Sequence, residues 1–525
     1  MAKNITAQHG KRPVRFALLL IIVFTSQFVY AQPSLTVEFE IVTDSAVTGD
    51  GGNAWGGHQC RIVRTDDGVF TAYTVEGGGY LEREWHVVQR TTSGWTMIAQ
   101  GVAGREPVNL LAGPEGTLYV IGWPEGNARM WTLKREGEVW NVNHGAIGGQ
   151  LKGYWPYNSA GISRTGNVCV ISSEGGSEPD GSFYLSYFNT AQQLWTNKKF
   201  YLPFRYCYTY VFPLSDGSVS LVSTRDVKWE ALGYTKPDGA GDYVFNAFRY
   251  WHTEAPDAPL ESMVFVEEPP TAEFPLVICN AQKDAYIDTK ENVHVVYAKY
   301  GLSTGGVYQN RHALYNKQGE NIYDGPLPVK AGGYSRIFQD VNERLFLLGD
   351  TGRIYLLAED GYTITDSVDF DLQGYQVEYS GFGISAPRTG TPLNTVLDVV
   401  FPTNGGKDWI YFSIQIDDLF PWTGIDPGGE IKVKQFRISQ NYPNPFNPET
   451  MITFYVPNTS FVNVEIFNIL GQHIRTLVDE QKHAGSYDVV WDGRNDFGQI
   501  VSNGIYLYRM SGGGFTRTMK CVFMK

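Results

Sequence analysis

We take three side chains, His58, Arg205 and Tyr208, as candidates for proton transfer beside the carboxylate of a substrate. An arginine can pair bidentately with the carboxylate of a uronate sugar and so stabilise a carbanion at the neighbouring carbon. A histidine or a tyrosine can remove the proton from that carbon, and the other can protonate the leaving oxygen. Taken as catalytic residues, the three give the hypothesis of a polysaccharide lyase that acts by β-elimination on uronate-containing glycans.

A second set of residues has the chemistry of ligand binding without catalysis. Aromatic rings stack on the apolar faces of pyranoses, and arginines pair with uronate or sulfate groups. The candidate ligand-binding residues are Arg105, Tyr157, Asn158, Trp229, Tyr334 and Arg336. We favour the interpretation that the chain binds a glycan or a protein ligand, with a carbohydrate-active enzyme as the alternative.

The three candidate catalytic residues also have a purely structural interpretation. His58 can cap the start of a strand against Trp55, and Arg205 can pair with a carboxylate of a neighbouring segment. Tyr208 alternates with Tyr206 and Tyr210, so the register of the strand decides which ring faces a ligand.

A glycoside hydrolase is the less favoured enzyme, because it needs two facing carboxylates at a defined separation. Asp226, Glu230 and Asp284 are the candidates for such a pair. The sequence has no metal-ligand spacing and no nucleotide-binding fingerprint in a suitable context, so neither a metal nor a cofactor is predicted.

The elements that must position these residues repeat about every 50 residues between positions 32 and 420. Each copy is a turn followed by an apolar strand, and the turns lie at positions 68, 116, 166, 217, 291, 343 and 394. The long interval after 217 contains an insertion at 225–243. Four short strands in each of seven units predict an all-β fold, a seven-bladed β-propeller, rather than a stacked β-helix with shorter repeats.

In a propeller, the segments that precede the innermost strands meet at one mouth of the central channel. His58, Arg105, Tyr157 and Arg205 belong to such segments, and the insertion is expected to rise beside the same mouth. The predicted fold therefore brings the candidate catalytic and ligand-binding residues together.

Tryptophan-containing hairpins follow the repeated strand in the first three units. Their sequences are TTSGWTM, REGEVWN and NTAQQLWT, which resemble degenerate Asp-box repeats of sialidase-like propellers. The resemblance implies the propeller fold. Sialidase-like propellers include glycosidases, polysaccharide lyases and non-catalytic binding proteins, so it does not choose among these functions.

The first 31 residues predict an export signal. Lys3, Lys11, Arg12 and Arg15 precede an apolar run at 16–24, and cleavage is expected after Ala31. The run is too short to span a bilayer, which takes about 20 residues. We therefore expect the mature chain to be secreted or held at the outer cell surface, with no integral membrane segment.

The last 89 residues carry the most specific motifs in the sequence. A Pro- and Gly-rich linker at 421–436 precedes NYPNPFNP, NILGQ, WDGRNDFG and GIYLYRM, in that order. Alternating apolar residues predict a small β-sandwich over 437–525. The segment resembles the type A C-terminal sorting domain of type IX secretion substrates. The resemblance implies recognition by the type IX machinery, removal of the domain, and release or surface attachment of the protein.

Charge and cysteine content exclude several other classes of protein. The net charge of −13 argues against binding nucleic acid or an anionic membrane. The five cysteines show no C-x-x-C spacing, so we expect buried thiols, with a Cys169–Cys207 disulfide as the alternative.

Overall fold

The structure is a computed structural model, and its strands form a propeller followed by a sandwich. It describes residues 35–48, 51–79, 81–147, 157, 159–173, 181–328, 333–377, 382–386, 395–420, 436–438, 441, 444, 446–456, 458–483 and 485–524. The predicted signal peptide at 1–31 and nearly all of the predicted linker at 421–436 lie outside these residues.

Two short strands precede the first blade. They are β1, Leu35–Thr36, and β2, Glu40–Thr43. Blade 1 contains β3 Ile62–Thr65, β4 Gly68–Val75, β5 Glu84–Thr91 and β6 Gly94–Val102. Blade 2 contains β7 Asn109–Ala112, β8 Leu118–Gly122, β9 Arg129–Glu136 and β10 Val139–Ala146. Blade 3 contains β11 Ser159–Ile162, β12 Val168–Ser173, β13 Gly181–Asn189 and β14 Leu194–Leu202.

Blade 4 contains the insertion. Its four main strands are β15 Tyr206–Pro213, β16 Val219–Arg225, β19 Ala247–Thr253 and β20 Glu261–Glu267. The insertion forms a separate two-stranded sheet of β17, Val227–Lys228, and β18, Tyr243–Val244, around a 3-10 turn at Trp229–Leu232. The insertion therefore lies between the second and third strands of this blade, as predicted.

The remaining blades follow the same plan. Blade 5 contains β21 Ile278–Ile287, β22 Val293–Tyr300, β23 Gln309–Tyr315 and β24 Asn321–Pro326. Blade 6 contains β25 Ser335–Gln339, β26 Leu345–Gly349, β27 Arg353–Leu357 and β28 Ile364–Asp371. Blade 7 contains β29 Gly383–Ile384, β30 Val396–Thr403 and β31 Asp408–Gln415. Short helical turns lie at Pro114–Gly116, Pro124–Gly126, Leu302–Thr304, Asn404–Gly406 and α1 Ile416–Leu419.

The seven repeated turn-and-strand segments of the sequence are the second strands of the seven blades, β4, β8, β12, β16, β22, β26 and β30. All seven are rich in buried apolar and β-branched residues, because a second strand is covered by its own blade and by the neighbouring blades. The predicted seven-bladed propeller is confirmed.

Blade 7 is completed by a strand from the start of the chain. β2 pairs antiparallel with β31, so that Glu40 lies opposite Tyr411 and Ile41 opposite Ile410. The structure divides the segment LTVEFEIV at 35–42 between two blades: β2 joins blade 7, whereas β1 pairs in parallel with β28 of blade 6.

A buried ion pair joins blade 7 to blade 1. Arg64 donates from Nε to Asp398 Oδ2 at 2.6 Å and from Nη2 to Asp398 Oδ1 at 2.5 Å. The same carboxylate accepts the hydroxyls of Ser385 and Tyr411, at 2.9 and 2.8 Å. This network satisfies a fully buried carboxylate at the point where the ring closes.

The C-terminal strands form a two-layer sandwich. One sheet contains β32 Arg437–Ile438, β33 Thr450–Val456 and β36 Gly485–Trp491. The other contains β34 Ser460–Asn468, β35 His473–Lys482, β37 Gly504–Gly512 and β38 Phe515–Phe523. Alternate residues of β34 and β37 point into a core that includes the buried Trp491 and Tyr508.

Replacing Asp398 tests the closure of the ring. We expect Asp398→Ala to lower the free energy of unfolding by about 3 kcal/mol, because Arg64 loses its buried partner. The measurement is denaturant unfolding of the purified chain. The control is Asp369→Ala, which breaks the solvent-exposed pair with Arg353 and should cost less than about 1 kcal/mol. Equal losses in the two variants would contradict the assignment of ring closure to Asp398.

Candidate functional site

The structure brings three of the predicted residues, His58, Tyr157 and Tyr208, together with Trp55 in one cluster, which we call the mouth cluster. Tyr208 lies at its centre, with ring centroids 5.6 Å from Trp55, 5.6 Å from His58 and 5.0 Å from Tyr157. The His58 and Tyr157 rings both meet Tyr208 edge to face. Asn158, the predicted neighbour of Tyr157 in ligand binding, lies outside the described residues.

Of the three tyrosines of β15, Tyr206, Tyr208 and Tyr210, only Tyr208 has a strained backbone. The pairing of β15 with β16 shifts register between Cys207 and Tyr210, and Tyr208 lies in this bulge with φ of 54°. Tyr157 also has a left-handed backbone, with φ of 42°. Such conformations are unfavourable for aromatic residues and persist where the surrounding structure holds them, often at functional sites.

Arg205 is fixed by the insertion of its own blade. Its Nη2 lies 2.9 Å from Asp226 Oδ2, and its Nε donates to the Asp226 carbonyl at 2.9 Å. The guanidinium lies between two aromatic rings, with its carbon 5.6 Å from the centroid of Tyr157 and 4.8 Å from that of Tyr243. The charge of Arg205 is therefore balanced within blade 4.

Arg105 also has a carboxylate partner. Its Nη1 lies 3.1 Å from Glu106 Oε1, and both side chains are buried. The guanidinium carbon lies 5.9 Å from the centroid of the Trp55 ring, so the arginine borders the mouth cluster. Its contribution at this place is a cation–π contact with one of the aromatic walls.

The remaining predicted ligand-binding residues lie apart from the mouth cluster. Arg336 is fully buried and donates to backbone carbonyls of three residues, Lys283, Ser335 and Phe382. These contacts connect blade 6 to blades 5 and 7. Tyr334 packs beneath Lys283, whose Nζ lies 4.3 Å from the ring centroid.

Trp229 belongs to the interior of the insertion. Its indole is buried against Val227, Val244 and Val277, and its Nε1 donates to the Gly241 carbonyl at 3.0 Å. The tryptophan therefore holds the insertion together, and Tyr243 is the residue through which the insertion contacts the Arg205 side chain.

Burial determines the protonation of the groups around Tyr208. Desolvation, followed by the proximity of Tyr157 and Asp226, raises the pKa of Tyr208 well above its ordinary value. Desolvation and Asp226 raise the pKa of Tyr157 as well. Burial lowers the pKa of Arg205, but Cys207, Asp226 and Tyr157 outweigh it and raise the pKa overall. At neutral pH both tyrosines are hydrogen-bond donors and Arg205 is a cation.

One charged residue near the mouth, Arg61, was not among the candidates predicted from the sequence. Arg61 is fully buried, and its Nη1 donates to the Asn53 carbonyl at 2.6 Å. Burial, with repulsion from Arg336, lowers its pKa to about 9. A signal was present, since Arg61 immediately precedes the innermost strand of blade 1 just as Arg205 precedes that of blade 4.

A pocket borders His58. Its walls are mainly apolar side chains of the innermost strands, among them Ile62, Leu110, Ile162 and Val211, and its volume of about 30 Å³ suits a few water molecules.

The cysteines are thiols and form no disulfide. Cys169, Cys207, Cys279 and Cys521 are buried, and desolvation raises the pKa of each. The alternative of a Cys169–Cys207 disulfide is therefore wrong. Within the described ranges, no group of three or more His, Cys, Asp and Glu side chains is arranged to hold a metal ion.

Comparison with known proteins supports the C-terminal fold. A family model described as the FlgD Ig-like domain matches residues 446–514, which lie within the sandwich. A search of curated proteins found no match. In the part of the chain that the structure describes, none of the helices has the length and apolar character to cross a membrane.

Several solved structures are similar to the chain. PorZ, an essential surface component of the type IX secretion system of Porphyromonas gingivalis, is 13% identical with a TM-score of 0.35. The match covers 91% of this chain, which spans 60% of the length of that structure. A fungal AA5-family alcohol oxidase is 11% identical, with a TM-score of 0.42 and coverage of 94% of this chain and 100% of that one. The GH93 α-L-arabinofuranosidase of Fusarium graminearum is 10% identical, with a TM-score of 0.38 and coverage of 59% and 93%.

Lys283 provides a test of the electrostatics of the channel. Burial, with repulsion from Arg336, lowers its pKa to about 8, although Asp350 acts in the opposite direction. We expect its labelling by a trace amine reagent to be half-maximal near pH 8. Because the unfolded chain binds this proton more strongly, the free energy of unfolding should rise from pH 8 towards 10.5 through this group.

The control for Lys283 is Lys236 on the exposed insertion, where Asp242 raises the lysine pKa. Peptide mass spectrometry after labelling at a series of pH values gives both titrations from one sample. A Lys283 midpoint equal to that of Lys236 would show that burial does not control this amine.

Proposed function

We propose that this chain is an exported protein of the cell surface or extracellular space, whose propeller at 32–420 recognises a ligand at its mouth. The observation that carries the proposal is the mouth cluster. Two tyrosines held in left-handed conformations, Tyr157 and Tyr208, are packed with Trp55 and His58. Strained aromatic residues of this kind preorganise a binding surface, because their rings do not need to be ordered by the ligand.

The chemistry of the mouth favours a neutral glycan as the ligand. Trp55 and Tyr157 are half-buried and Tyr243 is exposed, so each offers ring surface for stacking on a pyranose. Arg105 and Arg205, whose guanidinium groups contact the Trp55 and Tyr157 rings, already have carboxylate partners at 3.1 and 2.9 Å. A uronate would have to compete with Glu106 or Asp226 for them, whereas a neutral sugar does not.

The same contacts favour binding over β-elimination. A lyase needs an arginine that can accept the carboxylate of its substrate, and a base that is unprotonated at neutral pH. Arg205 is paired with Asp226, and the raised pKa of Tyr208 keeps that hydroxyl protonated. Of the three predicted catalytic residues, His58 is then left as the base of a lyase. The binding experiment below also tests this alternative.

We further propose that the sandwich at 437–525 is the export signal. The described residues of the NYPNPFNP motif contact the sandwich: Asn441 N–H donates to the Tyr508 hydroxyl at 2.9 Å, and Asn444 Oδ1 accepts the N–H of Val522 at 2.8 Å. Phe446 lies in the core, bonded through its backbone to Val522 and Met524. Motif and chain terminus thus form one unit, as expected if they are recognised together.

Variants of the mouth test ligand recognition. In the full chain, Tyr157→Asn and Tyr243→Ala should each lower the affinity for a bound neutral oligosaccharide about tenfold, through loss of a stacking surface. Asparagine is chosen at 157 because it tolerates the left-handed backbone. Titration calorimetry with oligosaccharides of glucose, xylose and mannose, and with oligogalacturonate, gives the affinities.

The control for the mouth is Tyr201→Ala, which removes a tyrosine that is 80% exposed on the outer strand of blade 3. An equal loss of affinity in this variant would contradict recognition at the mouth. Ultraviolet absorbance of an unsaturated uronate, formed from oligogalacturonate and abolished by His58→Ala, would replace the binding proposal with the lyase.

Removal of residues 437–525 tests the export signal. In a bacterium with a type IX system, we expect the full chain in the medium or on the cell surface, and the truncated chain in the periplasm. Fractionation followed by immunoblotting measures the distribution, and the full chain in a strain without that system is the control. Export of the truncated chain at the level of the full chain would contradict the proposal.

A further inference from the structure

Two turns of the sandwich have the same structure and the same unusual exposed residue. They are Asn468–Gln472, with the sequence NILGQ, and Asn495–Gln499, with the sequence NDFGQ. In each turn the Asn side chain accepts the N–H groups of the third and fifth residues, at 3.0 to 3.1 Å. The fourth residue is a glycine with φ of 75° or 74°. The third residue is 77% exposed in Leu470 and 88% exposed in Phe497.

The geometry of this turn does not require an apolar third residue. Asn316–Glu320 in the propeller is the same turn, with Asn316 Oδ1 accepting the N–H of Glu320 at 2.9 Å and Gly319 at φ of 78°. Its third residue is Gln318, which is exposed. The aspartate-based turns at Asp288 and Asp340 place Lys290 and Asn342 there. Of these five turns, only the two in the sandwich present an apolar side chain to solvent.

The two sandwich turns are neighbours. Asp496, in the second turn, donates its N–H to the Ile474 carbonyl at 3.1 Å and accepts the N–H of Thr476 at 3.1 Å. Both partners lie on β35, which begins directly after the first turn. The second turn is therefore hydrogen-bonded to the strand that follows the first turn. Leu470 and Phe497 are exposed at the same end of the sandwich.

We propose that Leu470 and Phe497 form a two-point docking surface for a protein of the export machinery that offers two apolar pockets. This inference rests on the proposed export role of the sandwich. The hydrogen-bonded turns hold the two side chains at a fixed spacing, which lowers the conformational entropy lost on binding and suits a partner with matching pockets.

The charges near the turns and the exposed apolar area argue against an anionic lipid or a second copy of the chain as the occupant of this surface. The basic groups nearest the turns have carboxylate partners, which weakens their attraction for an anionic lipid. Arg475 and Arg494 share Asp492, and His473 lies 3.5 Å from Asp496. The exposed side chains at the turns, Ile469, Leu470, Phe497 and Ile500, offer roughly 500 Å², less than the ~800 Å² that each partner of a stable dimer buries. A small rigid surface of this kind suits a transient protein contact better than a second copy of the chain.

The test replaces the apolar third residue of each sandwich turn with glutamine, the third residue of the propeller turn. The variant Leu470→Gln with Phe497→Gln gives both turns the third residue of Asn316–Glu320 and keeps every backbone bond. We expect its export from a bacterium with a type IX system to fall about 30-fold, as for loss of hot-spot contacts, with the chain retained in the periplasm. Its unfolding midpoint should match that of the parent, because neither side chain is in the core.

The control is Met451→Gln with Val490→Gln, a cross-strand pair of exposed apolar residues on the sheet of β33 and β36. Normal export of this variant and retention of the turn variant support the proposal. Normal export of the turn variant, while removal of 437–525 blocks export, would overturn the docking surface and leave the export signal standing. Export unaffected by that removal would overturn both.

Two measurements on the purified full chain distinguish the other occupants. Sedimentation of a dimer that the turn variant abolishes would assign the surface to a second copy. Flotation with phosphatidylglycerol vesicles that the same variant abolishes would assign it to lipid. Either result would overturn the proposal, and a monomeric chain that does not float supports it.

Discussion

The propeller depends on the closure of its ring, which joins residues more than 300 positions apart. β2 supplies the outer strand of blade 7, and Arg64 of blade 1 holds Asp398 of that blade. Neither contact can form until the intervening blades are in place, so closure couples the stability of every blade to the first and last. Without Arg64, Asp398 would be a buried carboxylate that lacks its cation.

Closure also explains why so many charged groups lie near the channel without serving as free binding groups. Seven segments converge on a small axis, and their backbone carbonyls need donors. Arg61 and Arg336 supply donors to carbonyls of neighbouring segments, and Arg105 and Arg205 neutralise the adjacent Glu106 and Asp226. The arginines thus strengthen the scaffold and support the aromatic rings of the mouth cluster, the surface at which we propose that a ligand binds.

The sequence predicts the features of the fold that depend on residues close together in the chain. The spacing of the turns predicted the number of blades, and the extra interval predicted the insertion. Of the predicted site residues, His58, Tyr157 and Tyr208 lie together in the mouth cluster. Non-local contacts decide the rest. The bulge that turns Tyr208 inward depends on how β15 pairs with β16, and Trp229 is buried because the insertion folds on itself. The division of LTVEFEIV between blades 6 and 7 depends on where the ring closes.

The five-residue turns show how one local device serves two purposes. In the propeller the turns at Asp288, Asn316 and Asp340 reverse the chain between neighbouring strands, and their third residues, Lys290, Gln318 and Asn342, are polar. In the sandwich the same backbone exposes Leu470 and Phe497. The third residue contributes its backbone N–H to the turn, but the hydrogen bonds of the turn use no side chain at that position. An exposed hydrophobic side chain repeated there adds nothing to these bonds, and this is why we propose that it contacts another molecule.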